Sequence, residues 1–331
     1  MSTTVAITGA DGFIGSHLAE TLVASGYRVR AMVQYNSFGS WGWLEALDRE
    51  VLASIDVVPG DVRDRNSVMT LMSGADMICH LAALIAIPYS YQAPLSYLET
   101  NAGGTLNVLE AGRALGTSRI VCTSTSEVYG SARSVPISED HPLQAQSPYS
   151  ASKIAADKLA ESYHLSFDLP VVTLRPFNTY GPRQSARAVI PTVISQLAAG
   201  RRQIALGSLT PTRDFNFVLD TALAFRAMLE APLDDVVGGT FNAGSGVEIS
   251  VADTVKLVAE LMGTDVEIQV ENERLRPERS EVTRLVSDSS AIQRAASWKP
   301  AHTLSEGLSR TIEWFCDPDN LSRYKTDQYN V

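Results

Sequence analysis

The chain opens with a short apolar strand that runs without a break into a turn rich in glycine and then into a helix. The strand is Val5 to Thr8, the turn reads Gly9-Ala10-Asp11-Gly12-Phe13-Ile14-Gly15, and helix-forming residues continue from Ser16 to Ser25. In strand–turn–helix units that bind dinucleotides, successive glycines permit the tight turn, let the backbone approach a pyrophosphate, and allow the helix to pack closely on the strand. The spacing is G-x-x-G-x-x-G rather than G-x-G-x-x-G, and a purely structural glycine turn is the alternative. The motif predicts a dinucleotide site built from Gly9, Gly12, Phe13, Ile14 and Gly15.

Apolar strands alternate with helical segments through the first half of the chain. Strands are predicted at 28–33, 56–58, 77–81, 119–123 and 171–175. Such alternation is typical of an α/β protein with a doubly wound parallel sheet, the Rossmann arrangement. It loosens after Arg183, which predicts a smaller mixed C-terminal lobe that binds substrate. We therefore divide the chain into a dinucleotide-binding domain at 1–180 and a lobe at 181–331, with segments near 215–246 returning to the first domain.

The end of the second strand leaves the choice between NAD and NADP open. A carboxylate normally stands there and holds the ribose hydroxyls of NAD. Here the chain reads Gln34-Tyr35-Asn36-Ser37, with neither an acid nor an arginine that would accept a 2′-phosphate. Further cofactor contacts are predicted after the later strands and in the helical stretch 94–115: Asn36, Asp61 (against the adenine), Val62, Leu81, Ala82, Ala83 and Asn101.

Charge and cysteine content exclude several classes of function. The net charge is -10, from 27 Lys and Arg against 37 Asp and Glu, which disfavours binding to nucleic acid or an anionic membrane. The cysteines Cys79, Cys122 and Cys316 match no metal site or disulfide pattern and are predicted to be reduced structural thiols. No signal peptide precedes the first strand, and no apolar run approaches the roughly 20 residues that span a bilayer. We expect a cytoplasmic, soluble protein that holds no metal ion.

A tyrosine and a lysine lie four residues apart at the start of a predicted helix. Ser147 and Pro148 are typical of an N-cap followed by the first helical position. Tyr149 and Lys153 then project from the same face, where the ammonium is expected to lower the pKa of the phenol. A tyrosine of this kind can take a proton from a substrate hydroxyl. The alternative, an exposed pair on any helix, is common, so the motif needs support from the polar strand end Ser124-Thr125-Ser126-Glu127.

Together, the glycine turn, this strand end and the Tyr149 helix resemble the extended short-chain dehydrogenase/reductase family, whose members act on nucleotide-linked sugars. The resemblance extends from Gly9 to Arg213-Asp214-Phe215. It implies that Thr125 orients the substrate 4-hydroxyl, that Tyr149 is the base for oxidation at C4, and that Lys153 lowers the phenol pKa and binds the nicotinamide ribose. It also implies a tightly bound NAD or NADP that is regenerated in each turnover. A homodimer or higher homo-oligomer is expected, because helices equivalent to 94–115 and 149–165 pair in this family.

The same resemblance assigns contacts to a nucleotide-sugar substrate. Asn178 matches a nucleotide-phosphate contact, and Arg213 and Arg276 fall where arginines grip the diphosphate, with surface ion pairs as the alternative. Ile85, Tyr89 and Val189 complete the predicted set.

The reaction depends on Thr125-Ser126-Glu127. In the 4,6-dehydratase branch the middle residue is an aspartate that protonates the departing 6-hydroxyl, whereas the glutamate removes the C5 proton. Glu127 fits the C5 base, but Ser126 is a poor acid, so either Glu127 passes on its proton or the reaction differs. UDP-sugar 4-epimerases and UDP-glucuronate decarboxylases remain alternatives, as does a noncatalytic dinucleotide sensor.

Three segments resemble the UDP-N-acetylglucosamine 4,6-dehydratases of legionaminic-acid-type pathways, namely 35–43, 84–91 and 177–189. That branch also carries the serine, and the apolar stretch Leu84 to Ile87 suits a 6-deoxy product. The favoured prediction is a UDP-N-acetylglucosamine 4,6-dehydratase.

Two further segments are interpreted from composition alone. Trp41 and Trp43 lie in a glycine-punctuated insertion, which is either a lid or partner contact or is pinned to the domain by its aromatics. The last fifteen residues are polar and are expected to fray.

Overall fold

The protein is built around a seven-stranded sheet in which each neighbouring pair of strands is parallel. The computed structural model describes residues 2–328. The strands are β1 (Thr4–Thr8), β2 (Arg28–Gln34), β3 (Ile55–Gly60), β4 (Met77–His80), β5 (Arg119–Thr123), β6 (Val171–Pro176), β7 (Asn178–Tyr180), β8 (Gln203–Leu206), β9 (Thr212–Phe217), β10 (Thr240–Ala243), β11 (Glu248–Ser250) and β12 (Glu267–Val270).

The helices are α1 (Phe13–Ala24), α2 (Arg49–Ala53), α3 (Arg65–Met72), α4 (Ile87–Gln92), α5 (Pro94–Tyr97), α6 (Gly104–Leu115), α7 (Pro148–Phe167), α8 (Val189–Ala198), α9 (Val218–Glu230), α10 (Leu233–Val236), α11 (Val251–Leu261), α12 (Ser290–Ala296), α13 (Leu304–Cys316) and α14 (Pro318–Leu321). Short 3₁₀ helices lie at Gly42–Ala46, Ser126–Tyr129, Asn272–Arg274 and Glu278–Ser280, and a π-helical turn, Leu98–Gly103, joins α5 to α6.

The order of the strands fixes where a ligand can bind. The large sheet runs β10-β6-β5-β4-β1-β2-β3, so the direction of winding reverses between β1 and β4. At such a reversal the connections leave to opposite faces of the sheet and open a crevice beyond the carboxyl ends of the strands. This is the doubly wound Rossmann sheet that the alternation of strands and helices predicts.

Both faces of the large sheet are covered by apolar helix surfaces. On β1, Val5 and Ile7 face one core, which α1 and α9 close with residues such as Leu18 and Phe225. Ala6 faces the opposite core, which α3, α6 and α7 close. Each fully buried Leu or Phe side chain contributes about 2 kcal/mol of transfer free energy, so burial on two faces explains the uninterrupted apolar strands.

A second lobe stands over the carboxyl ends of the strands. It contains the small sheets β11-β9-β7 and β12-β8, packed with α8, α11 and α13 around a separate apolar core. Strand β10 lies beside β6 in the large sheet, whereas β7, although it precedes residue 181, pairs with β9 in the lobe. The division of the chain at residues 180 and 181 therefore stays a prediction.

An aromatic cluster joins the two ends of the chain. Trp43 lies 5.6 Å from Trp314 and 6.1 Å from Tyr324 between ring centroids, and Tyr324 lies 4.8 Å from Phe315. The insertion is thus pinned through Trp43. The expectation that the tail frays is wrong for 318–324, because α14 forms and Tyr324 packs in this cluster; the final three residues lie outside the described range.

Within residues 2–328, no helix combines the length and apolar character needed to cross a membrane. Cys79 and Cys122 are buried, Cys316 is exposed, and all three are free thiols.

Candidate active site

A cavity of about 820 Å³ lies at the reversal of the sheet, between the carboxyl ends of the strands and the second lobe. Its size is within the range of small-molecule sites. Most of the residues selected from the sequence line it: Gly9, Gly12, Phe13, Ile14, Gly15, Asp61, Val62, Leu81, Ala82, Ala83, Ile85, Tyr89, Thr125, Ser126, Glu127, Tyr149, Lys153, Asn178, Val189, Arg213 and Arg276.

In the glycine turn, the glycine backbone faces the cavity without side chains to cover it. Gly9 has a left-handed φ of +70°, and a Cβ at this position would lie 2.7 Å from the backbone N of Ala82. Gly12 caps α1 without a side-chain hydrogen bond, so the first N–H groups of this helix are not covered by a capping side chain. Such a helix start attracts an anion through its N–H groups and its dipole. The turn fits the pyrophosphate of a dinucleotide.

Gly15 makes the closest contact within this turn, and its replacement gives a measurable prediction. A Cβ at Gly15 would lie 2.1 Å from the backbone O of Gly9, so Gly15→Ala is expected to destabilise the protein by about 2 kcal/mol or more. Gly103→Ala is the matched control, because the nearest atom to its Cβ is 3.9 Å away and alanine is the better helix former. Urea unfolding measures both. Equal midpoints for the two variants would contradict the packing argument.

Two predicted cofactor contacts do not line the cavity. Asn36 is used by its own loop, where its Nδ2 donates to the backbone O of Gln34 and Ser40 at 3.0 and 2.8 Å. Asn101 is buried and holds the strand-end segment, since its Nδ2 donates to Leu84 O and to Ser152 Oγ and its Oδ1 accepts from Leu84 N. Both side chains thus hydrogen-bond within the protein, and their contact with a cofactor stays a prediction. Asp61 does line the cavity, but Arg63 occupies both of its carboxylate oxygens, with Nη2 at 2.6 Å from Oδ2.

The start of α7 forms as the sequence predicts. The Ser147 side chain accepts from Ser150 N, Pro148 occupies the first turn, and Tyr149 lies on the buried face of the helix. The ring of Tyr149 packs edge-on against Tyr97, with 6.2 Å between centroids. A side-chain hydrogen bond with Thr125 joins Tyr149 to the end of β5.

The ionisation of Tyr149 and Lys153 differs from the expectation. Burial raises the pKa of the Tyr149 phenol, and the hydrogen bond with Thr125 opposes only part of the rise. Lys153 Nζ donates to the backbone O of Thr123 at 2.5 Å, and burial lowers the pKa of this ammonium, partly offset by the charge of Asp157. A shared helix face predicts that Lys153 acts on the phenol, but burial, which spacing does not reveal, is the largest influence on the pKa of Tyr149.

A buried ion pair that the sequence analysis missed supports this strand end. Asp157, on α7, accepts from Arg175 Nη2 at 2.9 Å and from Ser124 Oγ at 2.8 Å. Both charged side chains are less than a tenth exposed. The pair ties α7 to β6 and to the segment that carries Thr125. The sequence did contain a hint of this pair, because Asp157 lies one helical turn after Lys153.

Glu127 and two arginines form a polar part of the cavity wall. Glu127 follows Thr125 in a short 3₁₀ helix, and its carboxylate lies 4.0 Å from Arg276 Nη1. Arg213 Nη2 donates to Glu281 Oε1 at 3.2 Å. Glu281 lines the cavity too and is a counter-ion that the sequence analysis did not select.

Three buried polar atoms on this wall have no hydrogen-bond partner in the described residues: Thr123 Oγ1, Asn178 Oδ1 and Arg276 Nη1. Arg276 Nη1 lies 4.0 Å from the Glu127 carboxylate and 3.9 Å from the Glu281 carboxylate, whereas the oxygens of Thr123 and Asn178 can each hydrogen-bond to a polar ligand. Arg187 also lines the cavity, is exposed, and its charge acts on the Tyr97 phenol.

His80 at the end of β4 gives a pH prediction. Its ring is 2 % exposed and lies between Thr8 Oγ1, at 2.8 Å from Nδ1, and Thr105 Oγ1, at 3.1 Å from Nε2. Burial, assisted by the charge of Lys153, lowers the pKa of His80 to about 3. The unfolded chain takes up this proton near pH 6.5, so the stabilising effect is complete above that pH and is lost as the pH falls toward 3.

We expect His80→Gln to flatten the dependence of stability on pH. Between pH 6 and 4 the slope of unfolding free energy against pH should fall by about 1.4 kcal/mol per pH unit relative to the unmodified protein. Urea unfolding at several pH values measures both slopes, and the other titrating groups cancel in their difference. Parallel curves would show that His80 is protonated in the native state.

The comparisons with known proteins agree with this geometry. The sequence profile of the GDP-mannose 4,6 dehydratase family matches residues 6–311. The dTDP-glucose 4,6-dehydratase of Streptomyces griseus is 33% identical over 326 residues, which cover 95% of this chain and 94% of that protein. The UDP-glucose 4-epimerase of Mycolicibacterium smegmatis is 33% identical over 315 residues, 93% of this chain and 97% of that protein.

A solved relative extends the comparison to three dimensions. The dTDP-glucose 4,6-dehydratase DesIV of Streptomyces venezuelae, solved with NAD bound, superimposes with a TM-score of 0.83 at 28% identity over 96% of this chain and 98% of that chain. The chain belongs to the GDP-mannose 4,6-dehydratase family of extended short-chain dehydrogenases/reductases, which comprises nucleotide-sugar dehydratases and epimerases.

Proposed function

We propose that the protein is an NAD- or NADP-dependent nucleotide-sugar 4,6-dehydratase that converts UDP-N-acetylglucosamine to the UDP-4-keto-6-deoxy sugar. The proposal rests on one observation: Thr125, Glu127 and Tyr149 line the same cavity as the glycine turn. An enzyme that only inverts C4 needs Tyr149 but has no use for a second base such as Glu127.

The bare glycine turn and the start of α1 would hold the pyrophosphate of the cofactor, and Lys153 would hold the ribose next to the nicotinamide. A nicotinamide held in this way would supply hydride transfer, from C4 of the sugar during the oxidation and back to C6 at the end. Because the hydride returns, the overall reaction involves no net oxidation, which suits a cofactor that is not exchanged.

The first step assigned to the chain is removal of the 4-hydroxyl proton. Thr125 orients this hydroxyl, and Tyr149 takes its proton as the 4-ketone forms. The closed site raises the phenol pKa, so the base needs a cation close by. Lys153, one helical turn from Tyr149, is the cation proposed for this role, and the charge of Asp157 favours its protonated form.

The second step is loss of water across C5 and C6. The 4-ketone makes the C5 proton acidic, and Glu127 removes it. Ser126 is buried and is no general acid, so Glu127 passes the proton to the 6-hydroxyl, which leaves as water. C5 then takes a new proton, derived from solvent, as C6 is reduced.

The polar part of the cavity wall supports a nucleoside-diphosphate sugar as the substrate. Arg213, Arg276 and Asn178 present cationic and amide groups to the cavity, which suit a diphosphate. Leu84 to Ile87 form an apolar border that suits a 6-methyl product. Arg187 is the one observation that favours a second candidate, decarboxylation of a UDP-sugar acid, because its guanidinium could hold a 6-carboxylate.

Mass spectrometry separates these reactions. Incubation with UDP-N-acetylglucosamine should give a product lighter by one water, and UDP-glucuronate should remain intact. Unchanged UDP-N-acetylglucosamine together with loss of CO2 from UDP-glucuronate would overturn the assignment. Bound cofactor without conversion of any nucleotide sugar would favour the noncatalytic sensor instead.

A homodimer is part of the proposal. Exposed apolar side chains on the helices expected to pair, Leu95, Leu98 and Leu165, are 63%, 51% and 74% exposed and support it. Light scattering should give the mass of two chains, and a monomer at micromolar concentration would exclude the dimer.

A further inference from the structure

The carboxylate of Asp11 lies at the end of β2, where the sequence provides no acid of its own. Gln34 is the last residue of β2, and its backbone N–H donates to Asp11 Oδ2 at 2.9 Å. Both residues line the cavity. The glycine turn thus delivers a carboxylate to the strand end at which dinucleotide-binding folds hold the adenosine ribose.

The backbone of Asp11 is held from the opposite side. Trp43 N donates to Asp11 O at 2.9 Å, and a Cβ on Gly42 would lie only 2.6 Å from that oxygen. Trp43 is in turn fixed by its contacts with Trp314 and Tyr324. The insertion therefore fixes the position of the Asp11 backbone, and with it the residue's place in the wall of the cavity.

The neighbouring charges leave the Asp11 carboxylate uncompensated. Burial raises its pKa, and the opposing effects come from backbone N–H groups, with no cation of the described residues among them. Arg63 lines the cavity as well, but its guanidinium is held by Asp61 through Nε and Nη2. An anion bound at this strand end would be repelled by the Asp11 carboxylate, and Arg63 would not offset this repulsion because its guanidinium is paired with Asp61.

We propose that Asp11 makes the protein select NAD over NADP. Its carboxylate accepts hydrogen bonds from the adenosine ribose hydroxyls, and it repels a 2′-phosphate, which carries a charge of about -1.5 to -2 at neutral pH. This rests on the proposed function only in requiring that the cavity bind a dinucleotide.

The experiment identifies the bound cofactor without relying on turnover. Purified protein is first stripped of bound nucleotide, then incubated with equimolar NAD and NADP, freed of unbound nucleotide and denatured, and the released dinucleotides are quantified by mass spectrometry. The unmodified protein should release mostly NAD. Asp11→Asn keeps an oxygen that can accept from Gln34 N–H but removes the charge, so the NADP-to-NAD ratio should rise about tenfold or more. Asp48→Asn is the control, since this carboxylate is exposed and caps α2 without a side-chain hydrogen bond.

The outcomes are decisive in each direction. Release of mostly NADP by the unmodified protein, or of no dinucleotide, would overturn the proposal, even if Asp11→Asn failed to fold. An unchanged ratio in folded Asp11→Asn would overturn it as well. Conversion of UDP-N-acetylglucosamine is assayed in the same samples: turnover with bound NADP would contradict this inference alone, whereas bound NAD without turnover would contradict the proposed function alone.

Discussion

Tyr149→Phe is expected to lower conversion of UDP-N-acetylglucosamine by about 10²- to 10⁴-fold, the usual contribution of a positioned acid–base group. The phenylalanine keeps the ring contact with Tyr97 and loses only the hydroxyl group and its hydrogen bond with Thr125. Such a hydrogen bond contributes about 1 kcal/mol to stability, so the fold and the bound cofactor should persist. Product is measured by the loss of one water, and cofactor by release on denaturation.

Tyr163→Phe is the matched control on the same helix. The Tyr163 phenol donates to Glu110 at 2.6 Å and does not line the cavity. Its removal should leave turnover unchanged. If Tyr149→Phe kept more than a tenth of the activity of this control, Tyr149 would not be the base for oxidation at C4.

Glu127→Gln is expected to stop the reaction after oxidation at C4, again with a loss of about 10²- to 10⁴-fold in product. The amide occupies the same place beside Arg276 but cannot take the C5 proton. In deuterated water the unmodified protein should yield product with one deuterium at C5. The variant should form neither this product nor labelled substrate, although a 4-keto sugar that retains its 6-hydroxyl should be detectable.

Ser126→Ala separates two routes for the proton that reaches the 6-hydroxyl. If Glu127 passes the proton directly, as proposed, Ser126→Ala should keep most of the activity. An equal loss in Ser126→Ala and Glu127→Gln would place Ser126 in the proton path. Normal turnover of Glu127→Gln would remove Glu127 from the mechanism altogether.

Much of the site could be predicted because its signals are local. The glycine turn, the N-cap at Ser147 and the spacing of Tyr149 and Lys153 each lie within a few residues, and one segment of backbone determines their geometry. The carboxyl ends of parallel strands meet at one edge of a sheet, so assigning the strands was enough to bring Thr125 and Glu127 to the cavity.

Other features depend on segments that are distant in the sequence. Asp157 and Arg175 meet because α7 packs on β6, and Trp43 meets Tyr324 from opposite ends of the chain. The position of Asn36 after β2 predicts a contact with the cofactor, but in the structure its side chain donates hydrogen bonds to backbone oxygens of its own loop. No local pattern reveals which partner a polar side chain finds after folding.

The sequence by itself determined the doubly wound sheet, the dinucleotide turn and the tyrosine–lysine helix, since periodicity and spacing act along one stretch of chain. Only the tertiary structure decided the ionisation of these groups and the charge at the end of β2. Burial raises the pKa of Tyr149 and lowers that of Lys153, and the fold carries Asp11 across to Gln34. Solvation and through-space charge depend on what surrounds an atom, and those surroundings exist only once the chain has folded.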